Sequence, residues 1–344
     1  MDGGKSMDYQ LRKRLSSMKH PTEAFCVEVM EQDGGALHLV EKQTEAICLA
    51  AVKQNGLALE FVEHPTLEMC EEAVKQNGMA IRFVPNPTFE IEQMAFNQSV
   101  ETLQYLKHQT PEMCLEAVKY APYLFQYVKY QTEDVCLAAV RENGCLLELV
   151  KQQTELICLE AIQEEPHALS YVKEQTDLIC KEAVKRNGLT LEYVKHQTED
   201  IVWEALKENP FALTYVKKQT PEMIDYALEQ AGSILSVVSN PTFDQCVKAI
   251  QTTPSAIKHL PKVPDKLILM ALSQDGNVLE YVPDQTDEYC LIALRQTLGA
   301  FRYIKQVSEE FKRWQWLEQV DEYQTARMKR QLGRLKKEEN IYFL

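Results

Sequence analysis

Apolar side chains recur along this chain in a pattern that repeats every 22 residues, without insertion, from residue 22 onward. With a threonine counted as position 0, the apolar positions are 3, 4, 7 and 8, followed by 14, 15, 17 and 18. The repeat from Thr44 reads TEAICLAAVKQNGLALEFVEHP, and that from Thr176 reads TDLICKEAVKRNGLTLEYVKHQ. Spacings of three and four put Ile47, Cys48, Ala51 and Val52 on one face of a helix. Thr heads twelve of the thirteen repeats, with Pro264 in the remaining slot and Ser308 in the slot after the last. Threonine is a good N-cap, and the acids that follow it (Glu133, Asp134, Glu199, Asp200) suit the positive end of a helix. Pro111 and Pro221 fit the first helical position. Ala fills position 7 in twelve of the thirteen repeats, which marks a place of close approach.

Position 12 ends the first helix after about eleven residues. It is Gly in seven repeats and Pro in four (Pro122, Pro166, Pro210, Pro254). The two residues predict different turns, because Pro cannot take the positive φ that Gly allows. From Pro122 to Gly276 they alternate strictly, a 44-residue superperiod. The second apolar cluster (Ala58, Leu59, Phe61, Val62) predicts a short second helix of about two turns; a strand is the competing reading, but it would need partners across long crossovers. So small a pair of helices buries too little to fold alone and must stack on its neighbours. The expected fold is all-α, an α-solenoid of thirteen 22-residue helix-turn-helix repeats with capping helices. Its expected parts are an N-terminal capping helix in residues 1–21, the repeats in 22–307, and a C-terminal capping helix with a basic tail in 308–344. Leu11, Leu15 and Met18 suit the first cap, and Phe311, Trp314, Leu317 and Val320 suit the last.

Charge changes the picture. The chain carries −14, but residues 1–21 hold five Lys/Arg against two acids (+3) and residues 309–344 hold eight against seven (+1), so the repeats hold −14 − 3 − 1 = −18. Such acidity makes nucleic-acid binding an unfavourable expectation, since that binding needs basic surface. No stretch approaches the roughly 18 apolar residues of a membrane span, and no secretory or myristoylation signal follows Met1, so an intracellular protein is expected.

The consensus T-E/D-x-I/V-C-L-x-A-V-K-x-N-G-x-x-L-x-Y-V-K-x-Q resembles the repeats of the domain-of-unknown-function family 4116, seen in giant viruses and in bacteria living inside eukaryotic cells. The resemblance runs over about residues 22–308 and is strongest in the repeats from Thr44, Thr132 and Thr176. It implies a viral or intracellular-bacterial protein acting in the host cytoplasm, and it brings no catalytic residues. The repeat from Thr88 departs most, with Glu92 for the usual Cys and Val100 for Gly or Pro, and is expected to mark a bend or a specialised contact.

Candidate chemistry is sparse. Nine of the ten cysteines occupy position 4, on the buried face, which favours packed thiols over disulfides or metal; Cys145 alone is expected outside. The histidines show no ligand spacing, and Gly3-Gly4-Lys5-Ser6 resembles the tail of a P-loop but lacks its first glycine and the strand before it. No catalytic constellation, cofactor motif or metal site emerges, so a non-enzyme without cofactor is expected. Two ladders remain. Position 17 is aromatic in nine repeats, including Tyr105, Tyr127, Tyr171, Tyr193 and Tyr215, and position 19 is lysine in six successive ones, Lys107, Lys129, Lys151, Lys173, Lys195 and Lys217. Either the rings pack between repeats while the lysines solvate a helix end, or both line a groove for an acidic or phosphorylated protein partner. A basic run (Arg327, Lys329, Arg330, Arg334, Lys336, Lys337) is a weaker candidate for an acidic partner or a membrane surface. The functional expectation is a scaffold binding a protein partner, with a self-assembling structural protein or an acidic nucleic-acid mimic as alternatives. For the mimic, the charge density is about fourfold too low against one charge per about 1.7 Å of duplex.

Overall fold

A computed structural model describes residues 3–305. The chain divides into two compact bodies, Met1–Lys173 and Glu174–Leu344. The first contains α1 (Gly3–Ser17), α2 (Glu23–Gln32), α3 (Glu45–Gln54), α4 (Leu67–Gln76), α5 (Phe89–Gln98), α6 (Pro111–Tyr120), α7 (Glu133–Glu142) and α8 (Glu155–Glu164). The second contains α9 (Asp177–Arg186), α10 (Glu199–Glu208), α11 (Pro221–Gln230), α12 (Phe243–Thr252), α13 (Asp265–Gln274) and α14 (Asp287–Gln296). Each of α2 to α14 is one ten-residue helix per repeat, and each is followed by a six-residue 3-10 helix, from Gly34–Leu39 to Leu298–Tyr303. Within each body these pairs pack on their neighbours as an all-α solenoid. The described residues contain no strand.

The caps explain the boundaries. Thr132 accepts a hydrogen bond from the Val135 N–H at 3.4 Å, and the other threonines do the same for their own third helical residue. Pro264 offers no such bond. At the far end, the residue before position 12 donates its N–H to the alanine carbonyl four residues back, Asn143 to Ala139 at 3.0 Å. The Asn143 side chain then caps the 3-10 helix by accepting from Cys145 N–H at 3.0 Å. Asparagine thus closes one helix and opens the next.

The glycine expectation needs correction. Among the described residues no glycine has positive φ, and Gly and Pro enter the same turn, each opening a 3-10 helix. Glycine is required by proximity instead. A methyl group on Gly144 would run into the carbonyl oxygen of Ala161, the position-7 alanine of the next repeat, and would lie 2.9 Å from Glu165 Cβ. Gly56 stands against Ala73, Gly188 against Ala205, and Gly276 against Ala293 in the same way. Where glycine intervenes, successive helices pack closely, as α7 on α8, α9 on α10 and α13 on α14. Around Pro210 and Pro254 the pairs α10–α11 and α12–α13 touch much less. In the second body the 44-residue superperiod is therefore an alternation of tight and loose helix contacts, whereas around Pro122 in the first body α6 and α7 pack closely.

The core follows the periodicity. Ile47, Cys48, Ala51, Val52, Ala58 and Leu59 are all buried, but Phe61 at position 17 is 38% exposed, so that position lies at the rim of the core. At the N-terminus α1 packs on α2, buries Leu15 and pairs Arg12 with Asp33. The guanidinium holds the Asp33 carboxyl below the usual carboxylate range. Gly3-Gly4-Lys5-Ser6 lie within α1. Phe311, Trp314, Leu317, Val320 and the basic run 327–337 lie outside the described residues.

Candidate functional site

The two ladders sit on the stretch that leaves the 3-10 helix. In the repeat from Thr110, Tyr127 is its last residue, Val128 is buried, and Lys129 follows in the turn toward Thr132. All six ladder lysines are exposed. Tyr127 is exposed, whereas Tyr105, Tyr171, Tyr193 and Tyr215 are half-buried.

The ammoniums of Lys107, Lys129, Lys173 and Lys217 are engaged with the main chain. Lys129 Nζ donates to the carbonyls of Leu106 at 2.9 Å and Lys107 at 3.1 Å, one repeat back. Lys173 reaches Val150 and Lys151, both at 2.9 Å, Lys217 reaches Val194 and Lys195, and Lys107 reaches Pro85. These carbonyls follow the C-terminus of the previous 3-10 helix, where a cation is favoured by the dipole and by charge-assisted hydrogen bonds. Each such lysine ties its repeat to the preceding one and still carries its charge at the surface.

Beneath the lysines lies a feature the sequence reading passed over. Gln109, the residue just before Thr110, is 6% exposed and uses its whole amide. Its Nε2 donates to the carbonyls of Leu103 at 3.1 Å and Tyr127 at 2.9 Å. Its Oε1 accepts from Lys129 N–H at 2.8 Å and from the Cys114 thiol at 3.4 Å. Gln153 repeats the set with Leu147, Tyr171, Lys173 and Cys158, and Gln43, Gln131, Gln175, Gln197 and Gln285 repeat most of it. The signal was visible in the sequence as a correlation between columns. Where Pro65, Pro241 or Val263 replaces the glutamine, position 19 is Pro85, Pro261 or Pro283, which has no N–H to satisfy. The first repeat, with Pro21 and Glu41, does not follow the rule.

The repeat from Thr88 resolves the same way. Pro87 stands in the glutamine slot, yet position 19 is Lys107, which does have an N–H. Glu92, fully buried, supplies the acceptor: its carboxylate takes Lys107 N–H at 2.6 Å, His108 N–H at 3.0 Å and His108 Nδ1 at 2.9 Å. The odd residue is a local replacement for the missing clamp.

The position-4 thiols are buried, and burial raises their pKa. Nine cysteines are buried and Cys145 is exposed, and all ten are free. Burial, then the neighbouring Glu133, pushes the Cys136 thiol up to about 11, and burial does the same for Cys158, Cys180 and Cys290. Among the described residues no group of His, Cys, Asp and Glu is placed to hold a metal ion. None of their helices is long and apolar enough to cross a membrane.

One repeat differs at its surface. Tyr120, Tyr123, Tyr127 and Tyr130 all belong to the repeat from Thr110 and are 75%, 55%, 39% and 54% exposed. The Tyr123 hydroxyl donates to Glu101 Oε1 at 3.3 Å. Local desolvation, then Glu101, pushes the Tyr123 phenol up, with Tyr120 and Tyr127 close enough to add. Only Tyr127 of the four was singled out from the sequence. Tyr120 and Tyr130 are legible as outliers in their columns, because positions 10 and 20 are polar in every other repeat, whereas Tyr123 shares its column with Leu57, Met79 and Phe211.

Comparison with known proteins adds little beyond the resemblance. No curated protein matches the chain. Residues 176–220, two successive repeats, match the model of the family described as Domain of unknown function (DUF4116), and over that stretch the chain is similar to that family.

Proposed function

We infer that this protein is a non-enzymatic scaffold that binds a protein partner through exposed side chains carried on its repeats. One observation carries the reading. The recurring bonds between repeats run from glutamine and lysine side chains to main-chain atoms, as from Gln109 and Lys129, while other exposed positions, such as those of Tyr120, Tyr123 and Tyr130, differ from repeat to repeat. Assembly and recognition are thereby separated, which leaves the surface open to be shaped for a partner. Tyrosine, with a large ring and a polar tip, is enriched where such surfaces bind.

The test is an affinity capture from the source cell with the full chain, in parallel with a variant in which Lys151 and the exposed tyrosines of the repeat from Thr110 become Gln. A protein that the wild type retains and the folded variant loses, and that binds again when purified, supports the scaffold. Sedimentation across concentrations provides the opposing outcome. A chain that captures nothing specific but grows in mass with concentration is a self-assembling structural protein.

A further inference from the structure

We propose that the tyrosine patch of the repeat from Thr110 docks an arginine-rich segment of a partner protein; this deepens the scaffold reading and rests on it. Four exposed rings belong to one repeat, Tyr120 and Tyr127 lie near Tyr123, and Tyr120 and Tyr130 occupy columns that are polar in every other repeat. Position 10 commonly has a structural duty, which Tyr120 does not perform. In other repeats its side chain accepts the N–H of the preceding position-12 glycine, as Gln76 does for Gly56 at 2.6 Å and Gln98 for Gly78 at 2.8 Å. In front of Tyr120 that glycine is Val100, and the ring lies 75% exposed.

The charge around the rings selects the partner. Tyr120 closes a shallow groove along the outer face of α6, lined by Glu112, Leu115, Glu116 and Lys119, and Tyr123 leads on to Glu101. Three carboxylates against one ammonium, on repeats that carry −18 overall, favour a cationic segment.

The chain's own contacts indicate which cation. Arg82 stands 4.5 Å from the Phe83 ring centroid and Arg302 4.8 Å from that of Tyr303, both rings at position 17. Lys258 lies 5.7 Å from the Tyr281 ring, farther out. Around Tyr127 the corresponding residues are Gln104 and Gln126, which bring no charge. A planar guanidinium stacks on such rings and binds carboxylates in a bidentate fork, which a lysine ammonium does not.

The experiment uses the full chain at physiological salt and two fluorescent peptides of equal length and charge, one of alternating Arg and Ser, the other of alternating Lys and Ser. The variant is Tyr120→Gln with Tyr123→Ser, since Gln and Ser stand at those positions elsewhere, as Gln98 and Ser233 do; circular dichroism verifies its fold. The Arg peptide is expected to bind several-fold tighter than the Lys peptide, and the variant to lose about tenfold in Arg-peptide affinity while barely changing the Lys peptide. Equal binding of the two peptides, unchanged by the variant, reduces the attraction to diffuse acidity and overturns the proposal. So does Arg-peptide binding too weak to measure, or tighter patch-dependent binding of a phosphopeptide or single-stranded RNA. Each of these leaves the scaffold reading standing, because that reading fails only if the capture experiment fails.

Discussion

Glu92 offers the sharpest test of how the repeats are joined. If the repeat from Thr88 were simply decayed, restoring the consensus with Glu92→Cys would stabilise it. The structure requires the opposite. The buried carboxylate accepts two main-chain N–H groups and His108 Nδ1, at 2.6, 3.0 and 2.9 Å, and a cysteine there leaves Lys107 and His108 without that acceptor. An unsatisfied buried donor costs about 1–3 kcal/mol. Water can reach the exposed side of this turn, and removing the carboxylate relieves its own desolvation, so a net loss of about 2–3 kcal/mol is expected. Repeat arrays need not unfold in one step, so the readout should be local. Hydrogen exchange at the Lys107 and His108 amides should accelerate by roughly 30- to 150-fold, at about tenfold per 1.4 kcal/mol. Pro87→Gln in the same variant should return protection to Lys107, by rebuilding the clamp that Gln109 gives Lys129. If Glu92→Cys alone leaves both amides as protected as before, the replacement argument is wrong.

Other outcomes follow from packing. Native protein treated with a thiol reagent should label fast at Cys145 only, and rapid modification of five or more sites would contradict the buried positions. Alkaline stability should fall between about pH 9 and 11. There the unfolded thiols ionise near their ordinary value while Cys136, Cys158, Cys180 and Cys290 hold their protons up to about 11, so the unfolded state binds fewer protons and gains with rising pH. Denaturation curves across that window measure it, and a Cys136→Ala, Cys158→Ala pair should flatten the slope. Gly144→Ala should destabilise by about 1–3 kcal/mol or more through overpacking against Ala161. Gly299→Ala, whose nearest neighbour is 3.5 Å away, should be neutral or mildly stabilising in the same melt.

Much of the fold was legible because it is written in local periodicity. The threonine caps, the spacing of Ile47, Cys48, Ala51 and Val52, and the stop at position 12 each rest on rules that act within one helix. The reasons between repeats were harder to see. Glycine at position 12 looked like a conformational requirement and is a clearance requirement, because what it must avoid is the main chain of Ala161 and its equivalents, 17 residues away. The lysine ladder was read as a row of projecting charges. In fact Lys129, Lys173 and Lys217 reach back to main-chain carbonyls, which no side-chain pattern announces. The glutamine column escaped notice for the same reason, although its exclusion by prolines at position 19 was there to be read. The repeat from Thr88 was expected to be special because it broke the pattern, and what it shows is a second chemical solution to the same main-chain need.

The glutamine clamp also bears on how such a chain can lengthen or recombine. Gln109, Cys114, Tyr127 and Lys129 lie in one contiguous stretch, and that stretch addresses its predecessor through the main-chain carbonyls of Leu103, Leu106 and Lys107. A gene segment cut just before the glutamine codon therefore carries every side chain of the clamp with it, and the clamp asks its neighbour only for main-chain carbonyls. Cut between the glutamine and the threonine, the same segment strands half of the joint in another copy. Crossovers between copies should survive mainly at the first kind of boundary, and a designer adding repeats to this array should splice there.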